Sequence, residues 1–201
     1  MAPVFDALIF DLGNVIIPHD NEVLRRRLVS RCTAPDASER LNAIAHERRY
    51  GTGELTTADL HRRLMDELGY AADWPIFVED WCCHLSLDTD MLAFVEQLAQ
   101  RHRVLIFSNT NAEHWAHAMA LSQGRLGAFE PYLSHEIGDL KPAISSFRTV
   151  AEKAGVEPAR SIFFDDMPAN VEAARKAGFQ AEVFTTQLAL EDYLRSAGAF
   201  D

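Results

Sequence analysis

The sequence predicts an α/β fold: a parallel sheet flanked by helices, interrupted early by a helical insertion. Short apolar runs rich in Val, Ile and Phe recur along the chain, and helix-patterned stretches separate them. Residues 18 to 85 differ, keeping helical periodicity with few β-branched runs. With 201 residues, 48% of them hydrophobic, the chain can bury one domain or a domain plus a small insertion.

The first strand is predicted from Val4 to Phe10, where an unbroken apolar run reaches Asp11. Pro18 to Leu85 reads as the helical insertion, broken at Gly51-Thr52-Gly53 and at Gly69. Helical spacing then covers Thr89 to Gln100, followed by a strand over Arg103 to Phe107 and a helix over Ala112 to Gln123. A short strand is expected near Tyr132 to Ser134 and a helix over Ala143 to Ala154. Ser161 to Phe164 and Gln180 to Phe184 complete the strands, with a helix over Pro168 to Ala177 between them. Gly155 and Gly178 fall where helix C-caps are expected. The expected division is a core of residues 1–17 and 86–201 and an insertion of residues 18–85.

Formal net charge is -11, and no Lys/Arg run makes a basic stripe, so nucleic acid and anionic membrane surfaces are poor partners. An anionic substrate must then be drawn by a few local groups and a bound cation. Cys32, Cys82 and Cys83 have no metal-ligand spacing, and the adjacent pair cannot easily bridge to itself. The start MAPVFDALIF lacks a basic n-region, and no apolar run approaches a membrane span. A soluble protein of the reducing cytoplasm is expected.

Ligands of open α/β sheets gather at the carboxyl ends of the strands. The polar residues expected there are Asp11, Ser108-Asn109-Thr110-Asn111 and Asp165-Asp166, with Lys141 on the loop after the short strand. Taken alone, Asp11 is either a chemical group or a turn former, with Gly13 giving close backbone access. Asp165 and Asp166 are adjacent carboxylates that repel unless a cation or a lysine compensates them; the bland alternative is an N-cap pair for the helix at Pro168. Ser108 and Asn109 can donate hydroxyl, amide and backbone hydrogen bonds to a phosphoryl oxygen. Lys141 before Pro142 is an ordinary exposed turn by itself and gains weight from the order of the set.

That set resembles the four motifs of the haloacid dehalogenase-like hydrolases, carried here by FDLGNV at 10–15, FSNTN at 107–111, KP at 141–142 and FFDDMPAN at 163–170. The resemblance spans essentially the whole chain. It implies a Rossmann-like three-layer core with an inserted α-helical C1-type cap. Within the superfamily these stretches, with LSHEIGDLKP at 133–142, look most similar to bacterial alpha-D-glucose-1-phosphate phosphatases. The resemblance implies a phosphatase in which Asp11 is the nucleophile and forms an aspartyl-phosphate. It implies a magnesium ion held by the Asp11 carboxylate, the Gly13 carbonyl and Asp166. Ser108, the Asn109 backbone and Lys141 would hold the phosphoryl group, with Asp165 and Asn170 supporting and Asp165 paired to Lys141. The substrate would be a small phosphorylated metabolite.

One departure matters. Most phosphatases of this superfamily carry a second Asp two residues after the nucleophile, as acid and base; here it is Gly13. Asp20 and His19 are the nearest replacements, with a helix N-cap and a surface loop as their plainer readings. A 2-haloacid dehalogenase shares the Asp nucleophile and lacks the second Asp, but a metal-free displacement needs no doubled carboxylate. The other rival is a non-catalytic binding protein that keeps the fold. His114 and His117 form no zinc pattern and read as solvent contacts of a helix face. The triplet Arg25-Arg26-Arg27 reads as a solvated helix face, Cys82-Cys83 beside Trp81 as a packed one, and Gly51-Thr52-Gly53 as a cap turn near the site.

Overall fold

The computed structural model describes residues 5–199, so the predicted strand start at Val4 lies outside the described residues. Five parallel strands form one sheet in the order β3-β2-β1-β4-β5: β1 (Ala7–Phe10), β2 (Val104–Ser108), β3 (Glu130–Leu133), β4 (Ser161–Asp165) and β5 (Gln180–Val183). The chain runs outward from β1 to β3, then returns to place β4 on the other side of β1. The switch point therefore lies between β1 and β4, where α/β sheets open a crevice.

Alternation along the strands fills two layers. Leu8, Phe10, Ile106, Ile162 and Phe164 face Met91, Leu92 and Val95 of a helix at Thr89–Ala99 and Leu190 and Leu194 of one at Gln187–Ser196. Ile9, Leu105, Phe107 and Phe163 face the opposite layer, with Phe147 and Val150 from Ile144–Ala154 and Val171 and Ala174 from Pro168–Lys176. Phe10, Phe107, Phe163 and Phe164 are no more than 1% exposed. Full burial of such a side chain stabilises by about 1.5–3 kcal/mol, so the strand tips are held from both sides.

Between β1 and the Thr89 helix lie α1 (Asn21–Val29), α2 (Ala37–Ala45), α3 (Arg48–Gly51), α4 (Thr57–Leu68) and α5 (Trp74–Cys82). They share a separate apolar cluster that includes Leu28, Leu41, Leu64, Phe77 and Trp81. The helices at Thr89–Ala99 and Ala112–Leu121 are α6 and α7, and a single turn at Ser134–Ile137 is α8. The helices at Ile144–Ala154, Pro168–Lys176 and Gln187–Ser196 are α9, α10 and α11. Gly155 caps α9 at φ 62, the left-handed region that glycine enters without a Cβ clash.

The sheet differs from expectation at its edge. The strand placed near Tyr132 to Ser134 is Glu130–Leu133, and Ser134 instead opens α8. Pro131 argues against a strand by pattern, but β3 is an edge strand bonded to β2 alone, where a proline is tolerated. The sequence reading also passed over α11, whose buried face shows only Leu190 and Leu194 after the Thr186 cap.

Candidate active site

Register brings the carboxylates together. Phe10 pairs with Phe164, and the Asp11 N–H donates to the Phe164 carbonyl at 2.8 Å, so Asp11 and Asp165 leave their strands at the same level beside the switch point. Lys141 reaches them from the loop after α8. Its Nζ stands 2.8 Å from Asp11 Oδ1 and 2.5 Å from Asp165 Oδ2, and 5.3 Å from the ring centres of both Phe107 and Phe163. All three charged residues are buried.

Asp165 is saturated by protein donors: Lys141 on Oδ2, and the Met167 N–H and the Asn170 amide on Oδ1. It supports and does not point outward, as does Asn170. Carboxylate oxygens of Asp11, Asp165 and Asp166 lie within 4.8 Å of one another. One lysine facing three carboxylates leaves the site short of positive charge. Burial pushes the Asp11 carboxyl up to about 6; Lys141 pulls it down and Asp165 pushes it back up. A hard divalent cation fits a cluster of carboxylate oxygens. Asp11 and Asp166 carry the carboxylate oxygens of this cluster that are open to a cation, since Asp165 is held by Lys141, Met167 and Asn170.

Ser108, the last residue of β2, is buried and lines a cavity of about 520 Å³ together with Gly13, Asn109 and His19. The Asn109 side chain corrects the expectation that its amide meets a phosphoryl oxygen. Its Nδ2 donates to the Lys141 carbonyl at 2.8 Å, and its Oδ1 accepts from the Lys141 N–H at 2.9 Å. Asn109 thus clamps the loop that delivers Lys141.

Asp20 caps α1, accepting from the N–H groups of Glu22 and Val23. His19 does not belong to an open surface loop: it is half-buried, lines the cavity and packs against the place of the missing side chain on Gly13. His114 likewise is no solvent contact. Its Nε2 lies 3.0 Å from the Trp81 carbonyl, its Nδ1 3.0 Å from the Asn111 amide, and its ring stacks on Trp81. Arg25 faces the cavity, unlike its neighbours: Arg26 is solvated and Arg27 turns to Asp80. Cys82 is packed as expected, whereas Cys83, at the C-cap of α5, is exposed and corrects the expectation of a packed pair; all three cysteines are free thiols.

Asn14 was missed by the sequence reading. At φ 53 it occupies the left-handed region, donates from Nδ2 to Asp166 at 3.0 Å and accepts the His19 N–H at 3.2 Å. The available signal was an Asn after Gly13, since Asn tolerates that conformation better than other side chains. Gly51 and Gly53 press the insertion onto the core, Gly51 beside Leu140 and Gly53 against the His135 carbonyl, where a Cβ would collide. Arg48 bonds Asp139 at 2.8 Å alongside them.

Fold and site together give a parallel α/β sheet whose strand tips gather buried carboxylates and a lysine. The family model of the haloacid dehalogenase-like hydrolases matches residues 5–178, and the chain belongs to that family. Among characterised relatives it is similar to the D-ribitol-5-phosphate phosphatase of Bacteroides thetaiotaomicron, 25% identical over 183 residues, covering 86% of this chain and 88% of that protein. Its fold is similar to that of a haloacid dehalogenase-like hydrolase from Porphyromonas gingivalis, with TM-score 0.84, 24% identity, and 96% and 98% of the two chains covered. A family enzyme of Bacteroides thetaiotaomicron, solved with magnesium and inorganic phosphate, matches with TM-score 0.79 and 22% identity over 91% and 96% of the chains. Among the described residues no helix is long and apolar enough to cross a membrane.

Proposed function

We propose that the protein is a magnesium-dependent phosphatase that hydrolyses a small phosphomonoester, a sugar 1-phosphate, through an aspartyl-phosphate on Asp11. The observation that carries this reading is the Lys141 ammonium between Asp11 and Asp165 at the strand tips, next in sequence to Leu12 and Gly13, which line the cavity. The phosphatase relative and the magnesium and phosphate complex of a structural neighbour support it.

Asp11, the Gly13 carbonyl and Asp166 would hold the magnesium, which supplies positive charge to offset nucleophile and phosphoryl oxygens. Asp11 attacks phosphorus as the bond to the leaving oxygen breaks, and water then cleaves the acyl phosphate to free Asp11. Ser108, the Asn109 N–H and Lys141 orient the phosphoryl oxygens, and Asn170 and Asp165 hold Lys141 in place. The free thiols of Cys32, Cys82 and Cys83 support a reducing, cytoplasmic setting.

The sugar 1-phosphate assignment follows from Gly13. With no carboxyl there to protonate the leaving oxygen, the site favours an oxygen that departs readily, and an anomeric oxygen does so because the ring oxygen moderates its charge. The dehalogenase reading loses ground to Asp166, which that chemistry does not need. The test is phosphate release from paired 1- and 6-phosphates of one sugar, with and without magnesium. Magnesium-dependent release with preference for the 1-phosphate is expected. Preference for the 6-phosphate refutes the assignment of substrate, and release from no phosphomonoester refutes the phosphatase reading.

A further inference from the structure

The cavity continues from Gly13, Ser108 and Asn109 to a wall built by the insertion. That wall is largely apolar, from Leu24, Leu28, Leu41 and Trp81, with the neutral amides of Asn21 and Asn42 beside it. Arg25 is the one lysine or arginine among the described residues lining the cavity, and it is already engaged. Its Nε and Nη2 donate to the two carboxylate oxygens of Glu22 at 2.7 and 2.6 Å, and its Nη1 donates to Ser38 Oγ at 2.5 Å. Glu22 and Glu47 line the same cavity. A planar guanidinium held by both oxygens of a carboxylate is a preorganised pair and resists re-aiming.

Glu47 is in turn held by Arg63, so a second anionic group on a bound phosphomonoester would meet ion pairs already closed, two carboxylates among them, and no arginine of the lining free to receive it. We infer that this wall is a leaving-group site that selects phosphomonoesters whose remainder is uncharged, and that the Glu22–Arg25 pair is its selecting element. This rests on the phosphatase reading above. The apolar wall receives the C–H faces of a neutral sugar or polyol, and the amides of Asn21 and Asn42 supply hydrogen bonds that carry no charge.

The test uses esters matched except for one charge: glucose 1-phosphate against glucuronic acid 1-phosphate, and glucitol 6-phosphate against 6-phosphogluconate, with p-nitrophenyl phosphate as a common reference. The uncharged member of each pair is expected to have kcat/KM higher by about tenfold or more, the scale set by like charges brought together in a site. Arg25→Gln leaves Glu22 with only the exposed Arg26, 3.6 Å away, and should widen the ratio. Glu22→Gln frees Arg25 and should narrow it, by raising the carboxylate-bearing member. Both side chains are about half exposed, at 40% and 51%, so both variants should fold; a purely structural role would move the two members of a pair together. Equal or absent turnover within both pairs, or both variants moving the ratio the same way, overturns the inference alone provided that p-nitrophenyl phosphate is cleaved. Cleavage of none of the five esters overturns the phosphatase reading and this inference with it.

Discussion

His19 stands where a side chain at position 13 would go: a Cβ built on Gly13 meets His19 Cε1 at 3.1 Å and Nδ1 at 3.4 Å. Gly13 is not among the residues with positive φ, so its backbone accepts a side chain and only the ring opposes one. Gly13→Asp alone is expected to crowd His19 and to lower kcat/KM on a sugar 1-phosphate. Gly13→Asp with His19→Ala restores room for the carboxyl, which should raise the 6-phosphate more than the 1-phosphate. General acid catalysis contributes about 10²–10⁴-fold, so the relative gain should be readily measured in paired kinetics. Equal changes on both esters would show that the missing acid does not shape specificity.

Lys141 is the positive charge that two buried carboxylates share. Lys141→Met leaves Asp11 and Asp165 uncompensated, and removing one partner of a buried ion pair typically costs about 3–5 kcal/mol. Urea denaturation should show that loss, with part of it recovered on adding magnesium. Unchanged stability would mean that the lysine does not hold the carboxylates.

Asn109 acts on Lys141 through the backbone, by two hydrogen bonds. Asn109→Ala removes both and leaves a part-buried N–H and carbonyl to find water, at about 1 kcal/mol. Because the backbone N–H at position 109 remains, kcat should fall more than KM rises. A pure KM effect would place the side chain on the substrate instead.

The strand tips were legible because each is an apolar run ending in a polar residue: Phe10 to Asp11, Phe107 to Ser108, Phe164 to Asp165. Parallel strands with both faces covered read as continuous runs, and their ends are where ligands gather. The clamp between Asn109 and Lys141 was not legible, since it joins residues 32 positions apart through a loop whose path no local pattern encodes. The same holds for Asn14 reaching Asp166 and for His19 folding back over Gly13. Arg25 and Arg26 look alike in sequence; only helix packing turns one to the cavity and the other to solvent.

Two histidines should govern the acid limit of stability. Burial lowers His114 to about 3, with His84 lowering it further, and lowers His84 to about 4, with His19 adding to the effect. Both lie below the unfolded value near 6.5, so the unfolded chain binds more protons as pH falls. Their stabilising contribution is present above about pH 6.5 and is lost progressively as pH falls through the folded values near 4 and 3. His114 shows why: its Nε2 faces the Trp81 carbonyl and its Nδ1 faces the Asn111 amide, so a second ring proton has no acceptor. His114→Gln should flatten the stability profile between pH 6.5 and 4, read by thermal melts; an unchanged slope would contradict the assignment.

Asp166 carries a direct prediction for the metal. Asp166→Ala removes one of the oxygen donors left available by the engagement of Asp165 and should weaken activity and magnesium activation together. Titration of activity with magnesium checks it, and normal activation in this variant would remove Asp166 from the donor set.

The proposed role of Asp11 as nucleophile is decided by acid-quenched turnover of a radiolabelled sugar 1-phosphate with magnesium, in the wild type and in Asp11→Asn. The carboxamide keeps the shape of the side chain and loses its nucleophilic charge. Label should be trapped on the wild-type protein and none on Asp11→Asn, with no phosphate released by the variant and its thermal melt intact. Phosphate release by a folded Asp11→Asn at the wild-type rate would contradict that role.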